Sequence, residues 1–167
     1  VKKFDILPND TGLSLFIKSI DAGTELALRA LKEIAVGKPI PKIEQALNKR
    51  KLYRHKDAIN GKISWNLTAK QIVDFIRAAD YAPFQSPTYL PTAQFKENLL
   101  IVRKAELADN VNAAPGKVIS RDDKGVLVAT IDGKSVMLTQ VETKEKKILR
   151  NKQIAEELNI DIGDSFI

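Results

Sequence analysis

The chain of 167 residues has no cysteine, one histidine, one methionine and one tryptophan. Without cysteine there are no disulfides, no thiolate metal ligands and no cysteine nucleophile, a usage that fits a reducing cytoplasm. The single His55 excludes any site that needs two imidazoles from this chain. No run of about 18 apolar residues occurs, so no membrane span is expected. Residues 1–7 are too short and too polar for a signal peptide. There is no internal repeat and no low-complexity tract. The chain opens on Val1 rather than Met, which suggests a processed protein or a piece of a longer one. What is present is ordinary for a folded protein: 44% hydrophobic and 29% charged residues, enough for one domain or two small packed ones.

The net charge of +6 is unevenly placed. Residues 1–63 carry 13 Lys/Arg against 7 Asp/Glu, whereas 64–111 hold 5 of each and 112–167 hold 9 of each. Much of the excess lies in Lys49-Arg50-Lys51-Leu52-Tyr53-Arg54-His55-Lys56. Such a cluster raises local positive potential and attracts phosphates at low salt. It also reads, more plainly, as a solvated loop.

The period of the apolar residues is helical first and alternating later. Lys2–Leu7 predicts a short strand, and Pro8-Asn9-Asp10-Thr11 a turn whose Asp10 or Thr11 caps a helix. A helical stretch from Thr11 to Val36 follows, with a break or kink near Gly23 and a stop at Gly37. Residues 38–63 keep no period and predict a long basic connection. Thr68-Ala69-Lys70-Gln71 matches a capping box for a helix ending near Ala79-Asp80. Pro83, Pro87 and Pro91 forbid continuous helix beyond Tyr81.

Strand signals then take over. Gln94-Phe95 and Leu99–Arg103 predict a hairpin. Lys117–Arg121 and Val126–Ile131 flank a turn at Asp122–Gly125. Asp132-Gly133 predicts a two-residue hairpin loop before the alternating run Lys134–Val141, in which Val136, Leu138 and Gln140 share a face. A short helix over Lys152–Leu158 and a last edge strand at Gly163–Phe166 complete an α+β chain that ends in a small barrel-like sheet.

Catalytic chemistry is poorly supplied. No Gly-rich phosphate cradle, nucleophile elbow or zinc-binding histidine pair is present. Asp10-Thr11-Gly12 looks like fragments of several active sites, but its place before a helix favours a capping turn. His55 sits between Arg54 and Lys56 with no obvious partner. Tyr53, Trp65, Tyr81, Phe84 and Tyr89 offer base-stacking surfaces beside the basic loop. Beside prolines such residues more commonly anchor a core. Asp122, Asp123 and Asp132 accompany turns rather than one another, so no metal site is expected.

Three motifs in order carry a resemblance. Lys62-Ile63-Ser64-Trp65-Asn66-Leu67-Thr68-Ala69-Lys70-Gln71-Ile72, running on to Phe75-Ile76-Arg77-Ala78, is similar to the segment joining the two domains of methionyl-tRNA formyltransferase and its relatives. It departs by having Ser64 at the usual Asp, and its loop Tyr81–Pro87 lacks the common Pro-Gly-Ala ending. Asn112–Ile119, with Gly125–Thr130 and Asp132-Gly133, resembles the opening of that family's C-terminal barrel, and Gly163-Asp164-Ser165-Phe166 its end. Pro8–Leu15 resembles the turn that opens the last helices of the family's catalytic domain.

The resemblance implies an α+β architecture: a helical remnant of the catalytic domain followed by a small OB-like open β-barrel. It divides the chain into 1–63 (end of the catalytic domain and basic loop), 64–111 (linking helix, Pro-rich loop and hairpin) and 112–167 (barrel). It also implies transfer of a formyl group from 10-formyltetrahydrofolate to an amine, by an Asn, a His and an Asp that the family carries upstream of anything matched here. No catalytic, cofactor-binding or metal-binding role therefore passes to Asp10, His55 or any other residue, and this chain alone is expected to bind no cofactor. The acceptor would be initiator tRNA, or an amine on a nucleotide-linked sugar or a carrier protein, and the remaining partner the rest of the catalytic domain. Lys49, Arg50, Lys51, Arg54 and Lys56 are the expected acceptor or phosphate contacts, with Lys117, Lys134, Lys144, Lys146 and Lys147 as scattered additions. Two other readings stand beside it: a non-catalytic tRNA- or nucleic-acid-binding module, and a domain that self-associates. If the enzyme reading holds, residues 1–36 should expose an apolar face where the rest of the catalytic domain docks.

Overall fold

The computed structural model describes residues 1–52, 54 and 60–167. Helix α1 spans Gly12–Ala35. Its start is fixed by Thr11, whose hydroxyl accepts from the Ser14 amide while the Ser14 hydroxyl accepts from the Thr11 amide. Its end is a Schellman turn, with the Gly37 amide on the Ile34 carbonyl and the Lys38 amide on that of Glu33. The helix is continuous through Gly23, contrary to the expected break. One glycine costs a helix about 1 kcal/mol relative to alanine, too little to interrupt six favourable turns.

The strand expected at Lys2–Leu7 does not form. Among the described residues no strand lies alongside to pair with it. Instead the segment runs back along α1, with Lys2 paired to Glu25 and Lys18 Nζ donating to the Asp5 carbonyl. Residues 38–52 are irregular apart from one 3-10 turn at Leu47–Lys49.

Helix α2 (Ala69–Ala78) has the expected capping box between Thr68 and Gln71. It buries Ala69, Ile72 and Ile76, which lie on one face at helical spacing. The α1 start docks at its far end: the Leu13 amide donates to the Asp80 carbonyl, and Phe16 lies 6.4 Å from Tyr81 between ring centres.

Six strands form one antiparallel sheet: β1 (Thr92–Phe95), β2 (Asn98–Ala108), β3 (Val118–Asp122), β4 (Gly125–Ala129), β5 (Ser135–Glu142) and β6 (Ile148–Arg150). The order is β1-β2-β5-β4-β3, with β6 also on β5. Helix α3 (Lys152–Leu158) occupies the predicted residues and packs on β4 and β6. Strand pairing leaves β1 and β3 as edges, so the sheet is not closed. The C-terminal segment lies across the gap by isolated bridges rather than as a full strand: Phe95 to Phe166 on one side and Lys117 to Ser165 on the other.

The core draws on both sides of position 112. Ile63, Trp65, Ile72, Phe95, Leu100 and Val102 pack with Val118, Val128, Leu138, Leu149 and Phe166 in one cluster. The β4–β5 connection differs from the two-residue loop expected. The Gly133 amide bonds the Thr130 carbonyl and the Thr130 amide that of Lys134, giving a three-residue loop with Gly133 at φ 69°. Register shifts between β2 and β5, the second with an extra residue on β5 between Leu138 and Gln140, also move the inward position on β5 from Gln140 to Val141, which is fully buried.

Candidate acceptor-binding surface

The residues expected to meet phosphates lie on the irregular connection after α1. Lys49 ends the 3-10 turn, and Lys49, Arg50, Lys51 and Arg54 are all exposed. Lys56, His55 and Tyr53 fall outside the described residues. Of the scattered lysines, two are tied to the fold. Lys117 donates to the Gly163 carbonyl at 2.7 Å, and Lys147 pairs with Glu157. Lys134, Lys144 and Lys146 are exposed.

Most of the aromatic candidates are structural. Trp65 is 5% exposed and packs on Phe166. Tyr89 stacks on Phe75 at 4.4 Å and donates its hydroxyl to the Phe75 carbonyl. Tyr81 packs on Phe16, whereas Phe84 is 67% exposed.

The aspartates hold turns. Asp132 accepts from the Ala69 amide and the Thr130 hydroxyl, joining the β4–β5 loop to the first turn of α2. Those bonds, chiefly that from Thr130, lower its pKa. Asp122 accepts from the Lys124 amide in the β3–β4 turn. Among the described residues no group of three or more His, Asp or Glu is placed to hold a metal.

Asp10 is buried at the foot of α1, where Lys18 donates at 2.6 Å, the Leu7 amide at 2.7 Å and the Ser14 hydroxyl at 2.8 Å. These contacts, Lys18 foremost, hold its pKa down to about 2 from 3.8. The folded state thus binds this proton less readily than the unfolded chain. The stabilisation is complete above pH 3.8 and lost as the pH falls towards about 2. Asp10→Asn is expected to flatten the dependence of thermal unfolding on pH across that window and to speed hydrogen exchange of the Leu7 amide at neutral pH.

Two surfaces remain that single residues did not announce. The first is apolar: Phe16, Ile17, Ile20, Leu28, Leu31 and Ile34 on α1 are each about half or more exposed, far more apolar helix surface than a solvated helix needs. It matches the exposed face expected of residues 1–36. The second is a groove of about 830 Å³ between residues 79–91 and the outer face of β2, β5 and β6. Its sheet wall carries Lys104, Gln140 and Arg150, which the alternation of buried and exposed positions hinted at only strand by strand.

The sequence matches the family described as formyl transferase, C-terminal domain, over residues 56–159. The chain belongs to that family. Among its relatives, the methionyl-tRNA formyltransferase of Leptospira interrogans serogroup Icterohaemorrhagiae serovar copenhageni is 26% identical over 168 residues, covering 99% of this chain and 51% of its own length. The chain thus spans about half the length of the curated relatives it matches. Two solved structures share the fold. HypX from Aquifex aeolicus in complex with tetrahydrofolic acid aligns with a TM-score of 0.53 at 20% identity, over 84% of this chain and 24% of that one. WlaRD, a sugar 3N-formyl transferase, aligns with a TM-score of 0.55 at 19% identity, over 86% and 48%.

Proposed function

We propose that this chain works as the C-terminal half of a folate-dependent formyltransferase, which moves a formyl group from 10-formyltetrahydrofolate to an amine. In that reading α1 is the end of the catalytic domain, residues 64–111 the connection, and residues 112–167 a small OB-like barrel. The C-terminal segment lying between β1 and β3 supports the barrel description. The observation that carries the reading is the apolar face of α1, which requires a cover of roughly the size of a domain layer. The half-length match to methionyl-tRNA formyltransferases supports it from the sequence side.

Formyl transfer needs a neutral amine, a group to accept its proton and donors for the tetrahedral oxyanion. Those groups belong to the catalytic half. This half orients the acceptor, and the basic residues Lys49, Arg50, Lys51, Arg54 and Lys56 contact its phosphates, which positions the acceptor without reading its sequence. Methionyl-tRNA is the leading acceptor because the curated relatives carry that name. A nucleotide-linked sugar is the second, favoured by the neutral charge of 64–167 and by the fold shared with WlaRD.

The test mixes the 167-residue chain with 10-formyltetrahydrofolate and methionyl-tRNA. No formylated product is expected, and product formed by this chain alone overturns the division of labour. Methionyl-tRNA binding should weaken steeply with salt, and further when Lys49, Arg50 and Lys51 are all replaced by Ala. Unchanged binding removes the loop from the acceptor site.

A further inference from the structure

The sheet has an edge that its own strands leave open. Strand β1 covers only the first part of β2: its pairing reaches Ile101, and the Pro91 carbonyl accepts from the Val102 amide. From Arg103 to Ala108, β2 has β5 on one side and, among the described residues, no strand on the other. The alternation of the ladder tells which groups face outward. The Lys134 carbonyl accepts from the Thr130 amide and the Leu138 carbonyl lies against Gly125, so positions 134, 136 and 138 turn their backbone groups towards β4. Their partners on β2, Leu107 opposite Val136 and Ala105 opposite Leu138, therefore turn theirs away from β5 to the open side.

Such a row of unpaired backbone groups is a template for a further strand. Beside it lies an open groove of about 740 Å³, bounded by residues 6–9, α2 and positions 103–107 of β2. Ile6, Leu7 and Leu107, each more than half exposed, line it. The edge is also self-complementary in charge. Arg103-Lys104-Ala105-Glu106-Leu107, laid antiparallel on itself about Ala105, sets Lys104 opposite Glu106 twice. Both side chains are exposed, and neither makes an ion pair among the described residues. Two other registers also match outward groups. Centring on Glu106 sets two carboxylates face to face, and centring on Leu107 brings no opposite charges together.

We propose that a second copy of this chain pairs on this edge, β2 against β2, antiparallel about a twofold axis at Ala105. The two Ala105 residues exchange their amide–carbonyl bonds, and two Lys104–Glu106 pairs flank them. The contact is isologous, so it closes at two copies. It lies apart from the apolar face of α1 and does not depend on which amine is formylated. A stable interface buries about 1,200–2,000 Å². A short strand edge with Ile6, Leu7 and Leu107 around it falls at the low end, so the association is weak and concentration-dependent.

The experiment is sedimentation equilibrium of the whole 167-residue chain at low salt, up to about 1 mM. Every protein tested carries Leu28→Glu and Leu31→Glu, at exposed positions of α1, so that its apolar face contributes nothing. A monomer–dimer equilibrium is expected, with hydrogen exchange of the Ala105 amide slowing as dimer forms. Adding Lys104→Glu or Glu106→Lys should weaken association about tenfold and leave the melting curve of the monomer unchanged. The chain carrying both charge changes should associate like the one carrying neither. So should an equimolar mixture of the two single-charge variants, in which one edge presents only acids and the other only bases. Three results would each overturn the proposal: no dimer at about 1 mM, undiminished association of the single-charge variants, or no recovery in their mixture.

Discussion

Phe166→Ala is expected to destabilise the protein by about 3–5 kcal/mol, the range for deleting a large buried aromatic side chain. The residue lies outside the six named strands. Here it is 4% exposed, with its ring 5.6 Å from Trp65 and 5.0 Å from Phe95. Its backbone is equally engaged. The Phe166 amide donates to the Gly116 carbonyl, while Ile167 and Gln94 exchange both their amide–carbonyl bonds. The C-terminal segment thus ties the two open edges of the sheet, and Phe166 is the side chain that fills the seam. Because Trp65 is the one tryptophan in the chain, its fluorescence reports this seam directly. Urea unfolding of Phe166→Ala should show a lowered midpoint with an unchanged slope, and a red-shifted native emission. A native spectrum like that of the parent protein would mean that the seam collapses without Phe166.

Local signals in the sequence were sufficient wherever one element controls its own geometry. Thr68 and Gln71 cap α2 as their spacing requires, and α3 covers the residues its period indicated. The reading failed where a neighbour decides. Lys2–Leu7 alternates as a strand does, yet among the described residues it meets no sheet edge and remains unpaired. Gly23 reads as a breaker, but a helix already capped at both ends carries it. Strand β6 carries no signal of its own, because three residues are too few to show a period; they pair because β5 presents Gln140, Val141 and Glu142.

The surfaces divide in the same way. The basic cluster at 49–56 and the apolar face of α1 are contiguous in sequence and therefore visible in it. The groove is assembled from a Pro-rich segment and three strands, with Lys104 and Arg150 brought together by register alone. No spacing rule connects residues 46 positions apart. Its Arg103–Glu142 pair, formed across β2 and β5, was hidden for the same reason.

Gly125→Ala is the second change of large expected effect, and its sign is opposite to that of the same substitution at Gly23. Gly125 opens β4 with φ at 147°, a conformation that side-chain-bearing residues rarely adopt. A Cβ there would lie 2.1 Å from the Leu138 carbonyl oxygen on β5. That oxygen belongs to the backbone and cannot rotate away. Relief requires either a new φ at 125 or a wider gap between β4 and β5, where Val126 and Leu138 face each other fully buried. Backbone strain of this kind costs about 1–3 kcal/mol, and shifting a packed core about 1–3 more. Together they come to about 2–6 kcal/mol, which at its upper end reaches the stability of a marginal small domain, about 5 kcal/mol. At Gly23 a Cβ would meet nothing within 4 Å, so alanine there should instead stabilise α1 by about 0.5–1 kcal/mol. Thermal melts of the two variants against the parent protein check both signs. Equal melting temperatures for Gly125→Ala and the parent would show that β4 can move off β5 without cost, and that the close approach at Leu138 does not hold the sheet in register.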